Sequence, residues 1–309
     1  MRIVYVGTPE FAVAPLRALY DAGCDIAGVI SQPDRPKGRG RQPEVTPVAA
    51  VSRELGLALL QPEKVNEPAV VEQVREWAPD AIVVAAFGQI LRRPLLEIPR
   101  LGCVNIHASL LPHYRGGSPV QHALLNGDSV TGVTTMLMDP GMDTGPMLLQ
   151  QPVPIEPDDT AGTLLDRLSR VGADLILQTL PALDAGHLEP VPQDASRATY
   201  APNLTREDAR VDWGHTAERI RNQVRAFNPK PGAWAVWGGR EVKVWRAGTD
   251  DRPAEATPGE VLEVSPRGVR VATGEGSLWL VEVQEAGKAR MPAAAFARGA
   301  RVRVGERLG

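Results

Sequence analysis

Three polar side chains have the types and spacing needed for acid–base chemistry at one site. Asn105 and His107 stand two residues apart in the otherwise apolar run CVNIH, so a β-strand would project both side chains from one face. Asp143 lies in the Gly-rich segment MDPGMDTGPM, where the main chain can approach a ligand closely. Such a set could stabilise an oxyanion, carry a proton and orient the proton carrier.

The type of reaction depends on what accompanies these residues. No GxSxG motif is present, so no Ser or Cys nucleophile of that kind stands beside them. The set therefore favours direct transfer between two bound substrates. A simpler interpretation stays open at this point: Asn105 and His107 could cap main-chain groups at the end of a strand, and Asp143 could cap its own loop.

Alternating strands and helices predict the frame that positions these residues. Predicted strands cover residues 1–7, 25–31, 57–61, 80–87, 103–107 and 130–139; predicted helices cover 9–20, 47–55, 118–125 and 160–185, with a further helix to residue 77 that Asn66 would cap. This order predicts an α/β, Rossmann-like fold with a doubly wound, mostly parallel sheet, in which ligands bind at the carboxyl ends of the strands. The first turn, GTPEF, lacks the GxGxxG fingerprint, which disfavours a nicotinamide-dependent oxidoreductase.

The character of the sequence changes after the long helix. We predict a first domain over residues 1–188, a linker rich in Pro, Ser and Ala over 189–205, and a C-terminal domain over 206–309. In the last part a short helix (216–226) precedes alternating segments with turns at Gly238–Gly239 and Pro266–Gly268, which predict hairpins of a small, OB-like β-barrel.

A basic segment, SQPDRPKGRGR, follows the second predicted strand. It carries Arg35, Lys37, Arg39 and Arg41 between Pro and Gly residues, so we expect a mobile loop and neither helix nor strand. Charge on such a loop could supply affinity for phosphates, although a merely solvated loop would have the same composition. From Arg206 onward the chain has 18 Lys and Arg against 14 Asp and Glu, a charge of +4, whereas the preceding part carries −7.

Composition excludes several other classes. The longest apolar run, AIVVAAFG, is far shorter than the roughly 20 residues that span a bilayer, and the N-terminal residues do not resemble a signal peptide. We therefore expect a cytoplasmic protein. Cys24 and Cys103 are the two cysteines of the 309 residues and have no metal-ligand spacing, so neither a disulfide nor a zinc site is predicted.

The motifs together resemble the methionyl-tRNA formyltransferase family over essentially the whole chain. The segments that carry the resemblance are GTPEFA, QPDRPKGRGR, NIHASLLPHYRGGSP, GMDTGPML, VDW and FNPKPGAW. The SLLP and RG residues are similar to the signature of a wider group of folate-dependent formyltransferases, which includes the glycinamide ribonucleotide enzymes. The basic segment and FNPKPGAW are what narrow the resemblance to the family that acts on tRNA.

The resemblance implies a reaction and its participants. The formyl group of 10-formyltetrahydrofolate would pass through a tetrahedral intermediate to the α-amine of methionine on initiator tRNA, with no metal, no obligate protein partner and a monomeric enzyme. The folate would be bordered by Ser109, Leu110, Leu111 and Pro112, and its pterin by Phe87, Gly88, Gln89, Ile90 and Leu91. Arg39, with Lys37 and Arg41, would reach the acceptor stem, and the C-terminal barrel would hold the outer surface of that stem.

The three polar residues fit this reaction. Asn105 and His107 would donate hydrogen bonds to the alkoxide that forms when the amine attacks the formyl carbon. Asp143, hydrogen-bonded to His107, would stabilise the protonated imidazole and help to move the proton of the amine. Two alternatives stay open: a folate-dependent formyltransferase or hydrolase that acts on a small amine or on water, and a non-catalytic RNA-binding protein.

Overall fold

The computed structural model describes residues 1–37, 42–250, 252 and 254–309, and describes no side chain for residues 37, 42 and 43. The chain divides into two compact units, each with its own β-sheet. The first unit comprises Met1–Pro119, Val130–Pro154 and Leu165–Pro202, and the second comprises Val120–Ser129, Ile155–Leu164 and Asn203–Gly309.

Strands and helices alternate over most of the first 184 residues. The strands are β1 (Arg2–Gly7), β2 (Asp25–Ile30), β3 (Arg35–Lys37), β4 (Gln42–Glu44), β5 (Leu59–Leu60), β6 (Ala81–Ala85), β7 (Cys103–His107), β8 (Val130–Leu137) and β9 (Met147–Pro154). The helices are α1 (Val13–Asp21), α2 (Pro47–Glu54), α3 (Pro68–Trp77), α4 (Arg93–Leu96), α5 (Pro119–Asn126) and α6 (Ala161–Asp184). Of these elements, β3, β4, β9 and α4 were not predicted from the sequence.

Seven strands form the sheet of the first unit, in the order β5-β2-β1-β6-β7-β8-β9. The strands from β5 to β7 pair in parallel, whereas β8 is antiparallel to both β7 and β9. All of β6 and all of β1 after Arg2 is buried, as expected for strands covered on both faces. The predicted Rossmann-like, mostly parallel sheet is confirmed.

The direction of β8 decides where the loop that carries Asp143 begins. In the register of the sheet His107 faces Thr134 and Val104 faces Leu137, so β8 ends beside the start of β7. The loop after β8 therefore leaves the sheet at the opposite edge from the carboxyl end of β7. It returns along β7, so that Asp143 comes close to Asn105 and His107.

The basic segment is a hairpin where the structure describes it. Arg35–Lys37 pairs antiparallel with Gln42–Glu44, although its Pro and Gly content predicted no strand. A two-stranded ribbon leaves one edge of each strand unpaired, which is where Pro is tolerated. Residues 38–41, including Arg39 and Arg41, lie outside the described residues.

Part of the segment predicted as a linker, residues 189–205, is bonded within the first unit. Val191 exchanges two main-chain hydrogen bonds of 2.8 Å with Met147. The main-chain N–H of Arg115 donates to the oxygen of Thr199 at 2.8 Å. The main chain of this stretch is therefore held at Val191 and again at Thr199.

The second unit contains an antiparallel sheet. Its elements are α7 (Ala217–Ala226), β10 (Ala233–Trp237), β11 (Arg240–Asp250), β12 (Val261–Ser265), β13 (Gly268–Ala272), β14 (Ser277–Glu285), β15 (Met291–Pro292) and α8 (Ala293–Ala300). The strand order is β10-β11-β14-β13-β12, and β15 pairs with β14. The predicted small C-terminal domain built from hairpins is confirmed as an antiparallel sheet; α8 was not predicted. Gly238 and Gly239, at φ of 53° and 75°, form the turn of the first hairpin.

Candidate active site

Strand β7 brings the first two polar side chains together. Asn105 is half-buried and His107 is 6% exposed, and both approach the carboxylate of Asp143. His107 also contacts a main-chain oxygen, as the simpler interpretation of a strand-end cap proposed. The shared carboxylate is what that interpretation does not explain, because a capping pair needs no third charged group.

The ring of His107 is fixed by the loop that follows β7. Its Nε2 atom lies 2.9 Å from the main-chain oxygen of Tyr114, an oxygen that can only accept. Tyr114 has a left-handed backbone, with φ of 61°, and its N–H donates to Oγ1 of Thr199 at 2.8 Å. Nε2 therefore carries a proton, and Nδ1 is the ring nitrogen that faces Asp143.

Asp143 touches three groups from a left-handed backbone, with φ of 52°. Its Oδ2 accepts from the N–H of Gly116 at 2.8 Å, and its Oδ1 lies 3.4 Å from Nδ2 of Asn105. The distance from Oδ2 to Nδ1 of His107 is 3.8 Å. That separation is too long for the hydrogen bond predicted from the sequence, but it permits an ion pair when the ring is protonated.

This arrangement has two chemical capacities. The amide of Asn105 has two N–H groups, and the long contact with Asp143 uses at most one of them. The other can be directed at a negative charge that develops nearby. With Nε2 protonated, Nδ1 of a neutral His107 has a lone pair that can take up a proton, and the carboxylate stabilises the cation that results.

The segment predicted to border a folate follows β7 directly and is tied down by Thr134. Oγ1 of Thr134 donates to the oxygen of Ser109 at 2.6 Å and accepts from the N–H of Leu111 at 3.1 Å. Gln150 Nε2 donates to both Oγ1 of Thr134 and the oxygen of Leu111. Ser109, Leu111 and Pro112 are buried, and Leu110 is half-buried, so this segment offers a fixed main chain and few exposed side chains.

The second predicted folate segment, Phe87 to Leu91, follows the neighbouring strand β6. The side chains of Phe87 and Leu91 belong to the core of the first unit, whereas Ile90 is 68% exposed. Gly88 has a left-handed backbone, with φ of 85°. The half-buried Gln89 accepts from the N–H of Val65 at 2.8 Å, which fixes the segment to the loop before α3.

Asn66 has a different role from the one predicted. The N-cap of α3 is Glu67, and Pro68 is the first residue of the helix. The Asn66 side chain instead donates to the oxygen of Ile90 at 2.8 Å and accepts from the N–H of Arg92 at 2.8 Å. It therefore supports the end of the segment after β6.

The predicted phosphate-binding residues are only partly described. Arg35 is exposed, and its Nη2 lies 2.5 Å from Oε2 of Glu63. An exposed ion pair of this kind adds little stability and leaves the guanidinium accessible. The side chain of Lys37, and all of Arg39 and Arg41, lie outside the described residues, so their assignment stays a prediction.

Several residues that support this site were not singled out from the sequence, among them Tyr114, Thr134 and Gln193, whose Nε2 donates to the main-chain oxygens of Asp143 and Gly145. Thr134 had a usable signal in the sequence, because its hydroxyl lies in a predicted strand of the sheet. The structure buries this hydroxyl fully, and a buried hydroxyl must form a hydrogen bond to a nearby group. Tyr114 acts through its main chain, and Gln193 lies in a segment without periodicity. No sequence pattern distinguishes either of them.

Cys103 lies on the same strand as Asn105 and His107. Cys103 begins β7, and burial raises the pKa of its thiol to about 12, so it stays protonated at neutral pH and is a poor nucleophile. Among the described residues, no group of three His, Cys, Asp or Glu side chains is placed to hold a metal ion. No helix in the same part of the chain is long and apolar enough to cross a membrane.

Comparison with protein families gives two matches. Residues 1–180 match the family described as formyl transferase, and residues 203–301 match the formyl transferase C-terminal domain. A methionyl-tRNA formyltransferase of Geobacter sulfurreducens is 48% identical, covering 100% of this chain and 97% of the relative. One of Geobacillus thermodenitrificans is 48% identical, covering 99% and 97%.

Solved structures share the fold at low sequence identity. HypX of Aquifex aeolicus, in complex with tetrahydrofolic acid, superposes with a TM-score of 0.68 at 19% identity over 98% of this chain; the chain spans about half of HypX, 48%. A methionyl-tRNA formyltransferase of Clostridium thermocellum has a TM-score of 0.59 at 19% identity, covering 81% of this chain and 94% of that one. With full-length relatives at 48% identity, the chain belongs to the methionyl-tRNA formyltransferase family.

Proposed function

We propose that this chain transfers the formyl group of 10-formyltetrahydrofolate to the α-amine of methionine on initiator tRNA, which gives formylmethionyl-tRNA for translation initiation. The observation that carries the chemistry is the meeting of Asn105, His107 and Asp143 at the carboxyl end of β7. The substrates follow from the family, whose members act on methionyl-tRNA with a folate-derived donor. Because this substrate is used in translation, we expect the reaction to take place in the cytoplasm.

The chain's own residues supply charge stabilisation and proton transfer. As the amine attacks, negative charge develops on the formyl oxygen, and the free N–H of Asn105 stabilises it. Nδ1 of His107 takes up the proton that the amine loses while its new bond to carbon forms. Asp143, 3.8 Å away, stabilises the imidazolium until that proton passes to the nitrogen whose bond to carbon breaks.

The loops after β6 and β7 fit a folate. They leave neighbouring parallel strands at the edge where open α/β sheets bind ligands. The exposed side chain of Ile90 offers an apolar surface, and the main chain around Gly88 is held open in a left-handed turn. A flat heterocycle with polar edges needs this combination of apolar contact and main-chain hydrogen bonding. The donor, when bound, supplies an electrophilic formyl carbon on a weakly basic nitrogen.

Binding of tRNA rests on the basic hairpin and on the second unit. Arg35 is accessible at the base of the hairpin, and we assign the same role to Lys37, Arg39 and Arg41 from their charge in the sequence. Residues 206–309, which make up most of the second unit, have 18 Lys and Arg against 14 Asp and Glu, so the exposed Arg and Lys residues there are suited to the phosphates of the acceptor stem. No further protein is needed for the reaction, and the active species is a monomer.

A direct assay tests this function against its nearest alternative. Formylation by the purified protein is measured with methionyl-tRNA and with small amines at matched concentrations, each with 10-formyltetrahydrofolate, and hydrolysis of the donor is followed without an acceptor. We expect methionyl-tRNA to be preferred by several orders of magnitude in kcat/KM. A higher kcat/KM for a small amine, or hydrolysis that equals transfer, would refute the proposed function.

A further inference from the structure

The side chain of Gln193 is bonded to the loop that carries Asp143. Its Nε2 atom donates to the main-chain oxygens of Asp143, at 2.8 Å, and Gly145, at 2.7 Å. Gln193 is half-buried and lies in the stretch between α6 and the second unit. One amide group thus bridges both ends of the three-residue segment that holds the carboxylate.

Arg115 fixes which way this amide points. Its Nε and Nη2 atoms donate to Oε1 of Gln193 at 3.0 and 2.8 Å. A guanidinium can only donate and the two loop carbonyls can only accept, so the oxygen of Gln193 must face Arg115 and its nitrogen must face the loop. Arg115 is 5% exposed, and its main chain is held by a strand-like bridge to Tyr200.

The loop needs such a support because its conformation is strained. Asp143 has φ of 52°, a region that non-glycine residues adopt at a cost. A Cβ on Gly145 would lie 1.8 Å from the oxygen of Leu137, so the turn is also as tight as a glycine permits. The carboxylate approaches Nδ1 of His107 only to 3.8 Å, and any further relaxation would weaken the ion pair.

We propose that Gln193 is a positioning residue for the formyl transfer: oriented by Arg115, it holds the Asp143 loop so that the carboxylate faces His107 and Asn105. It touches neither substrate. This inference rests on the proposed function, because it assigns Gln193 a role in the same proton transfer. It also gives the stretch after α6 a catalytic purpose in addition to connecting two units.

Two substitutions separate this role from a general effect on folding. In Gln193→Glu a carboxylate still accepts from Arg115 but has no N–H for the two loop carbonyls. We expect kcat to fall on the order of 10- to 100-fold, with KM for methionyl-tRNA and for the donor each within about twofold. Gln193→Met keeps the length of the side chain and should lower kcat by a similar factor, but it leaves Arg115 without its acceptor and should also lower the melting temperature.

The matched control is Gln178→Glu on the exposed face of α6, where Nε2 donates to the oxygen of Asp174 at 3.3 Å. It repeats the chemical change away from the site and should leave kcat and both KM values unchanged. A double-mutant cycle supplies the decisive measurement. In an Asp143→Asn background, followed by single turnover with enzyme in excess, Gln193→Glu should cost less than about threefold, since no carboxylate is left to position.

Three results would overturn the assignment: an unchanged kcat in Gln193→Glu, a loss confined to KM, or an equal fold-loss with and without the Asp143 carboxylate. Failure of this assignment can be told apart from failure of the proposed function, because the proposed function is tested on the wild-type protein alone. If the wild type formylates a different amine, the proposed function fails, and the ratios of kcat between each variant and the wild type are then measured with that amine.

Discussion

The Nε2 atom of His107 lies 2.9 Å from the main-chain oxygen of Tyr114. Because that oxygen is an acceptor only, the hydrogen of the neutral ring is on Nε2 and the lone pair is on Nδ1. A main-chain group therefore sets the tautomer of His107, and the carboxylate of Asp143 is free for another task. That task is to stabilise the ring once Nδ1 has taken up a proton.

Removal of either side chain on β7 should stop turnover without removing the bound tRNA. We expect Asn105→Ala to lower kcat by about 100- to 1000-fold, the usual cost of one lost oxyanion donor. His107→Ala should lower kcat by about 100- to 10,000-fold, the range for general acid–base groups. Formylation rates with saturating substrates, together with a filter-binding measurement of tRNA affinity, check both variants.

The control for His107 is His187→Ala, an exposed imidazole after α6, which should keep full activity. Contradiction would come from an unchanged kcat in either variant on β7. A fall in tRNA affinity as large as the fall in kcat would instead show that the residues bind tRNA.

Asp143→Asn tests the charge of the carboxylate apart from the shape of its loop. Asn tolerates the left-handed backbone at this position, and its side-chain oxygen can still accept from the N–H of Gly116. We expect kcat to fall by about 100-fold or more, while the melting temperature stays within about 2 °C. Thermal unfolding and single-turnover formylation are the two measurements, and retained activity would mean that the charge is not needed.

The pair on β7 could be predicted because its geometry is local. Residues two apart in a strand share a face whatever the rest of the fold does, so Asn105 and His107 followed from their spacing. The strand–helix alternation that places β7 inside a parallel sheet is also visible as local periodicity. The two hairpin turns of the second unit followed in the same way from their turn residues.

The partners of that pair could not be predicted, since they depend on strand direction and on contacts far apart in the chain. Nothing in the residues of β8 indicates that it runs antiparallel to β7, so the route by which the loop carrying Asp143 reaches His107 could not be predicted. Gln193 bonds to residues 48 and 50 positions away from a segment that looks like a linker. The side chain of Asn66, predicted as a helix cap, instead bonds to main-chain groups more than 20 residues away.

Arg39→Ala should weaken the use of tRNA and leave the folate site intact. Loss of one charged phosphate contact is expected to raise KM for methionyl-tRNA about tenfold or more at constant kcat. The slope of log KM against log salt should fall by about one, because one fewer counterion is released. Formylation at several salt concentrations gives both quantities.

The control for Arg39→Ala is Arg17→Ala, which removes an equal charge from α1. Nη2 of Arg17 forms an exposed ion pair with Oε2 of Glu54 at 2.6 Å. This substitution should change neither KM nor the slope. If Arg39→Ala instead raised KM for the folate donor by the same factor, the hairpin would belong to the donor site.

Asp250, at the end of β11, is the centre of a charged cluster in the second unit. Its Oδ2 accepts from Nε1 of Trp279 at 2.5 Å and from Nη2 of Arg252 at 3.0 Å. Nε of Arg270 lies 3.8 Å away. The hydrogen bonds from Arg252 are the main reason that the pKa of Asp250 is held well below its usual range, against the opposing effect of burial.

Asp250→Asn should therefore destabilise the second unit in a pH-dependent way. A folded-state pKa below the unfolded value of about 3.9 means that the carboxylate stabilises the fold above that pH and loses this effect as the pH falls through the folded-state pKa. At pH 7 we expect the free energy of unfolding to fall by about 1–3 kcal/mol. The difference from wild type should stay constant down to about pH 5 and shrink below about pH 4.

Tryptophan fluorescence during urea unfolding reports this unit, since every tryptophan but Trp77 lies in it. Glu218→Gln, which breaks a surface pair with Arg221 on α7 of the same unit, should change the free energy by less than about 0.5 kcal/mol at every pH; an equal effect of the two substitutions would contradict the prediction.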